Sequence, residues 1–256
     1  MRSLFSPAGR EALRQFAWSR VLLAFDFDGT LAPIVPEPDE AAMRASTRRL
    51  FRAVATRYPC IVVSGRARSD LGRRLRGIPL RGIVGNHGIE PWHSTPQLLD
   101  EVRRWEPILA RKLSGFGGVW IENKALTIAV HYRRSRQKKR ARAAILRAAA
   151  ALGPLRVMTG KQVVNLLPQG APHKGMAVER ERDRLRCDTA VYVGDDATDE
   201  DVFGLDQPGR LLTVRVGASR TSQAAYSVRN QGDVDALLVE LATLRSGLGS
   251  ARAARS

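Results

Sequence analysis

The chain has 256 residues, 44% of them hydrophobic, enough for one large domain or a larger and a smaller one, which excludes global disorder. Its net charge of +17 comes mostly from Arg spread along the whole chain, a surface suited to anionic partners such as phosphate esters. No apolar run approaches the roughly 20 residues that span a bilayer, the basic N-terminus lacks the apolar stretch of a signal peptide, and the isolated Cys60 and Cys187 offer neither a disulfide framework nor a zinc site and suit a reduced cytoplasm.

The first 20 residues predict a short helix. VLLAF (21–25) is an unbroken apolar run, the mark of a strand covered on both faces. DEAAMRASTRRLFRAVATRY follows with helical apolar spacing, and Asp39 is placed to cap it. CIVVS (60–64) repeats the buried-strand pattern, RSDLGRRLRG predicts a helix, and LRGIVGNHG predicts a third strand with its loop. Strand, helix, strand, helix, strand in this order predicts an α/β fold, a doubly wound parallel sheet with helices on both faces.

Residues 94–170 change character. STPQLLDEVRRWEPILARKL reads as a helix with Thr95 as its hydroxyl cap and Pro96 in its first turn. VWIENKALTIAVHYR reads as a hairpin around Asn123–Lys124. RRSRQKKRAR (133–142), leading into AAILRAAAAL, reads as the solvated start of an alanine-rich helix. LRVMTGKQVVNLLP predicts a second hairpin turning at Thr159–Gly160. Together these form an α+β unit of antiparallel strands inserted into the first fold, so the expected division is 1–92 with 171–256 as core and 93–170 as inserted cap. AVYVGDD (190–196) and LLTVRVG (211–217) resume the buried strands, a last helix is expected over 233–245, and 246–256 reads as a frayed basic tail.

In doubly wound sheets, ligands sit beyond the carboxyl ends of the strands. VLLAF ends in Asp26 and Asp28, CIVV in Ser64, Gly65 and Arg66, and AVYVG in Asp195 and Asp196; Lys174 opens the helix before that last strand. Clustered carboxylates resist joint ionisation unless a cation sits among them. A hard divalent ion meets that need, and Mg²⁺ pairs readily with phosphate. In this pattern Asp26 is a carboxylate nucleophile that forms an aspartyl-phosphate. Asp28 protonates the leaving alkoxide and then deprotonates the attacking water. Thr30 and Ser64 hydrogen-bond the phosphoryl oxygens, and Lys174 supplies positive charge. The expected metal ligands are Asp26, Asp28, Asp195 and Asp196, with Asp199 in support. Taken singly, Ser64–Gly65 also reads as a turn, Lys174 as a surface lysine, and Glu200–Asp201 as an acidic helix start.

DFDGTLAPI, VVSGR, the lysine of HKG and GDDATDED resemble the four motifs of the haloacid dehalogenase superfamily. That resemblance implies a Rossmann-like core and aspartyl-phosphate chemistry. P-type ATPases carry Thr where this chain has Asp28 and are membrane proteins, so Asp28 implies a soluble phosphatase or phosphomutase. GNHG (85–88), WIENKALTIAVHYR (120–133), GDDATDEDVF and VRVGASRTSQAAYSVRNQGDVDALL resemble the trehalose-6-phosphate phosphatases, over about residues 20–242. The resemblance implies Mg²⁺-dependent hydrolysis of trehalose 6-phosphate in trehalose biosynthesis. It implies that Glu122 and Lys124 reach from the cap to the sugar hydroxyls and phosphate region. His131 and Arg133 shape the cap, and Arg66 with the Asn86–His87 loop sits at the core–cap seam, where Gly65, Arg66, Asn86 and His87 are expected to bind substrate. One departure stands out: the family usually has Glu three residues before the Pro of the second hairpin, and this chain has Asn165. Asn hydrogen-bonds without charge, which leaves another sugar phosphate open as the preferred substrate. The expected partner is a small sugar phosphate rather than nucleic acid or membrane, since the aromatic residues do not interleave with the basic run. The protein is expected to be a cytoplasmic monomer.

Overall fold

The computed structural model describes residues 1–92, 95–160, 162–205 and 207–246; of the expected basic tail, 247–256 lie outside the described residues. The first half of the core runs β1 (Arg2–Ser3), α1 (Pro7–Trp18), β2 (Val21–Phe25), α2 (Ala45–Ala55), β3 (Cys60–Val63), α3 (Arg68–Arg74) and β4 (Gly82–Val84). An interposed unit follows: α4 (Pro96–Leu113), β5 (Trp120–Asn123), β6 (Ile128–His131), α5 (Lys138–Ala150), β7 (Leu155–Gly160) and β8 (Val163–Pro168). The chain then returns through α6 (Lys174–Arg184), β9 (Thr189–Gly194), α7 (Glu200–Phe203), β10 (Leu211–Val216), β11 (Tyr226–Val228) and α8 (Gln231–Leu244).

The core strands form one parallel sheet in the order β1-β11-β10-β9-β2-β3-β4. All five residues of β2 are buried, which is why its sequence does not alternate. Leu23 and Phe25 pack on the side of α1, α2 and α8, while Leu22 and Ala24 face α6 and α7. From β2 the chain steps outward to β3 and β4 on one side, and β9, β10 and β11 occupy the other. The strand order therefore reverses between β2 and β9, which opens a crevice at their carboxyl ends.

The interposed unit is an antiparallel sheet, β5-β6-β8-β7. Its outer face, through Val130, Val164 and Leu166, packs on Trp105 and Leu109 of α4 and on Ile145 of α5. Thr95 caps α4 as its sequence predicts, its hydroxyl accepting the Leu98 N–H at 3.3 Å.

Two expectations change, and two short strands are added. Asp39 caps no helix: residues Pro38–Glu40 form a separate short turn, and α2 starts at Ala45. The carbonyls of Pro38, Asp39 and Ala41 accept from the guanidinium groups of Arg66 and Arg74, and the Pro38 carbonyl also accepts the Ala41 N–H that closes the short turn. The second hairpin turns after Gly160, with Gln162 in the left-handed region (φ 65°). The short strands β1 and β11 extend the sheet beyond β10, and their sequence carries no strand signal.

Candidate active site

A cavity of about 340 Å³ lies between the carboxyl ends of the parallel strands and the inner face of the antiparallel sheet. Its core wall starts at Asp26, whose N–H donates to the Val193 carbonyl at 2.8 Å and so continues the β2–β9 ladder one residue past the strand. Lys174, the first residue of α6, is buried and donates to Asp26 Oδ1 at 3.0 Å and Asp199 Oδ1 at 2.6 Å. Tyr192 Oη donates to Asp199 Oδ1 at 2.6 Å, and the Asp196 N–H donates to Asp199 Oδ2 at 2.8 Å. Burial alone would lower the Lys174 pKa, but Asp199 and Asp26 outweigh it and hold the ammonium firmly charged. Burial, aided by Asp199, Asp195 and Asp28, pushes the Asp26 carboxyl well up, with Lys174 opposing.

Carboxylate oxygens of Asp26, Asp195 and Asp199 lie within 4.8 Å of one another. Gly29 permits that approach: it has φ 83°, and a Cβ there would stand 2.2 Å from Asp195 Oδ2. An all-oxygen donor set around a buried carboxylate that one lysine does not fully neutralise fits a hard divalent cation. Asp26 and Asp195 border the cavity, whereas Asp199 stands behind them with both oxygens accepting protein hydrogen bonds.

The other two carboxylates grouped with these by sequence also border the cavity, each engaged by a further partner. Asp28 is held in a fork by Arg66, Nε to Oδ2 at 2.6 Å and Nη2 to Oδ1 at 2.8 Å. The same guanidinium donates to Asp70 at 2.9 Å and to the Pro38 carbonyl at 2.8 Å. Asp196 Oδ1 accepts the Ala197 N–H at 2.6 Å and caps the turn Ala197–Asp199. Ser64, Gly65 and Arg66 line the cavity, but Thr30 is fully buried outside its lining.

The cap wall follows from strand register. Glu122 stands opposite Ala129, and Ala129 opposite Asn165, so Glu122 and Asn165 share the inner face across a small residue. Two residues along, Trp120 stands opposite His131, their rings stacked at 3.8 Å and 6°. His131 Nε2 lies 2.9 Å from Glu122 Oε2. Burial would raise the Glu122 pKa, but the His131 hydrogen bond and Lys124 outweigh it and hold the carboxyl low. Burial lowers the Lys124 pKa, with Glu122 and Asp28 opposing. Lys124 Nζ donates to the Gly65 carbonyl at 3.1 Å, across the seam. Asn86 is buried outside the cavity lining and ties the two walls: its Nδ2 donates to the Lys124 carbonyl at 3.2 Å, and Thr127 Oγ1 donates to its Oδ1 at 3.1 Å. Arg133 borders the cavity and donates to the Val35 carbonyl at 3.0 Å. Trp120 was not readable as a cavity residue, because one Trp in a strand more often marks core; the alternation Trp120, Glu122, Lys124 was the available signal.

A doubly wound core with a buried acidic cluster at its switch point, roofed by an antiparallel cap, is the architecture of the capped phosphatases of the haloacid dehalogenase class. The trehalose-phosphatase family model matches residues 24–236, and the chain belongs to that family. It is 32% identical over 248 residues to the trehalose-phosphate phosphatase of Mycobacterium ulcerans, covering 90% of this chain and 63% of that protein. It is 36% identical over 208 residues to that of Mycobacterium avium, covering 75% of this chain and 53% of that one. The chain thus spans between half and two thirds of these relatives' length. Among solved structures, a trehalose-6-phosphate phosphatase related protein superposes with TM-score 0.71 at 26% identity, covering 90% of this chain and 99% of that one. The C-terminal domain of the Candida albicans trehalose-6-phosphate phosphatase shares the fold, with TM-score 0.75 at 22% identity and coverage of 94% and 98%. Among the described residues, no helix is long and apolar enough to cross a membrane.

Proposed function

We propose that the protein hydrolyses trehalose 6-phosphate to trehalose and phosphate, with residues 93–170 as a cap that swings on hinges near Pro91 and Gly170–Pro172. The observation that carries this reading is one cavity bounded by Asp26, Lys174 and Asp195 below and by Glu122 and Lys124 above. Asp26 attacks phosphorus, the bond to the sugar oxygen breaks, and the phosphoryl group passes to the carboxylate. Asp28 gives its proton to the leaving alkoxide. It then takes a proton from the water that attacks phosphorus and frees Asp26. Because Arg66 grips both Asp28 oxygens, that pair parts as substrate enters. Lys174 holds the Asp26 carboxylate oriented and faces the charge that develops on the phosphoryl group. Mg²⁺, held by Asp26 and Asp195, would neutralise the clustered carboxylates and the phosphoryl oxygens. Glu122 and Lys124 bind sugar hydroxyls, and the closed cap keeps bulk water out.

The two buried free thiols support a reducing cytoplasm. A second reading, a phosphatase for another sugar phosphate, is favoured by Asn165 on the cap wall. The test is phosphate release from a panel of sugar phosphates with and without Mg²⁺. Trehalose 6-phosphate is expected to lead in kcat/KM, with activity lost on chelation. A clear lead by a different ester would select the second reading.

A further inference from the structure

His87 borders the cavity at 4% exposure, and neither ring nitrogen has a hydrogen-bond partner among the described residues. Unpaired buried polar atoms are costly. The backbone adds a second cost, since His87 has φ 59°, a left-handed conformation that few residues other than Gly adopt. Such costs persist where the surroundings enforce them, and they gather at functional sites.

The surroundings do enforce this one. The His87 N–H donates to the Ser64 carbonyl at 3.0 Å. The ring lies over Gly65, where a Cβ would come within 2.4 Å of Cε1 and 2.6 Å of Nε2. The preceding Asn86 is left-handed too (φ 48°), but its amide is spent on Glu90 Oε2, Thr127 and the Lys124 carbonyl. The pair thus divides its tasks: Asn86 ties cap to core, and the His87 imidazole is left facing the cavity.

Position selects the part of the ligand it meets. Gly65, under the ring, follows Ser64 at the end of β3, and its carbonyl accepts from Lys124 of the cap. Burial holds the imidazole neutral, with Lys124, then Lys174 and Arg156, adding to that effect. The ring therefore lies within the field of both the lysine that grips Asp26 and the lysine of the cap, where a phosphoryl group joins its sugar. A neutral N–H suits that place, because it binds an anion without adding a further cation beside the lysines.

We propose that His87 is a substrate-binding residue for the phosphate-ester end, donating a ring N–H to a phosphoryl or ester oxygen rather than to the distal sugar. The inference rests on the phosphatase reading above.

The experiment compares the wild type with His87→Asn, which tolerates the left-handed backbone but is shorter, and His87→Gln, which restores reach. Substrates are trehalose 6-phosphate, glucose 6-phosphate and p-nitrophenyl phosphate; inorganic phosphate is the binding probe. His87→Asn should lower kcat/KM about 10- to 100-fold on all three esters by a similar factor, the size of a lost hydrogen bond to a charged group. His87→Gln should recover part of it. The inhibition constant for phosphate should rise in parallel, and the rise in melting temperature that phosphate gives should shrink, while the ligand-free melting temperature holds. Unchanged kinetics with a lowered ligand-free melting temperature would make His87 structural and overturn the inference. A loss confined to the two sugar esters, with phosphate binding intact, would overturn it as well. If the wild type released phosphate from none of the three esters, the phosphatase reading itself would fall.

Discussion

On the core wall of the cavity, Lys174 and Asp199 are almost entirely enclosed, and Tyr192 and the Asp196 N–H fix Asp199 from behind. On the cap wall, Glu122 keeps 34% of its side chain exposed, and its partners His131 and Lys124 come from its own hairpin. Asp26 extends the ladder of a strand buried on both faces, and Lys174 opens α6, so the sheet and a helix start anchor the core residues. The cap residues stand on one face of an antiparallel sheet, where register alone brings them together. In the reaction proposed above, the chemistry falls on the wall whose geometry packing fixes, and the sugar contacts fall on the wall that side-chain changes alone can reshape.

The sharpest way to break this contrast is at Asp26. Asp26→Asn keeps size and hydrogen bonding but removes the nucleophile, so kcat should fall by roughly 10⁴-fold or more. The circular dichroism spectrum and melting curve should stay those of a folded protein. Residual turnover near the wild-type rate would move the chemistry off this wall.

Stability should divide the walls next. Lys174→Met leaves the carboxylates of Asp26 and Asp199 buried without their shared cation, a change that costs about 3–5 kcal/mol. Lys124→Met removes a cation paired at 3.7 Å with a partly exposed Glu122 and should cost about 1 kcal/mol or less. Urea unfolding of both variants measures the difference, and equal losses would erase the contrast.

The same division governs what the amino-acid sequence reveals. β2, β3 and β9 are legible because burial on both faces demands continuous apolar runs, and the acidic residues that end such runs stand out. Asp26 and Asp195 were visible for that reason, and Lys174 was visible through the resemblance of HKG to a superfamily motif. Asp199 read as support, because only the fold shows Lys174 and Tyr192 converging on it. Asp28 and Asp196, expected as metal ligands, border the cavity, but spacing could not show that Arg66 grips one and a backbone N–H donates to the other. β1 and β11 escaped notice because two- and three-residue edge strands owe their form to their neighbours. The inner cap face depends on pairing register, and so Trp120 stayed hidden.

On the cap wall, Glu122→Gln should lower kcat/KM for trehalose 6-phosphate about 10-fold, near the cost of one charge-assisted hydrogen bond. Turnover of p-nitrophenyl phosphate, which has no sugar, should change far less. The variant also has a pH signature. Glu122 is held below the ordinary carboxylate range in the folded protein, so its stabilising effect is present above about pH 4.3 and is lost as pH falls through its lowered folded value. Urea midpoints of wild type and Glu122→Gln should therefore differ at neutral pH and converge under acid; a gap that persists under acid would assign the loss to packing.

The smallest effect is expected at Asn165, and it tests whether the cap wall can be retuned without disturbing the core. Asn165 is buried on β8, on the inner face shared with Glu122, with small Ala129 between them. Asn165→Glu extends the side chain by one methylene toward the cavity and offers a charged acceptor to a sugar hydroxyl. A charged acceptor strengthens that hydrogen bond, while burial of the new carboxylate works against it. The two effects oppose, so kcat/KM for trehalose 6-phosphate should rise only about 3- to 10-fold, with the ligand-free protein slightly less stable. Because the nucleophile lies on the other wall, p-nitrophenyl phosphate should be turned over at the wild-type rate. A drop for trehalose 6-phosphate with a gain for no other sugar ester would mean that Asn165 already suits this cavity. A drop shared by p-nitrophenyl phosphate would show that the cap sheet positions the core wall, and the separation of the two walls would fail.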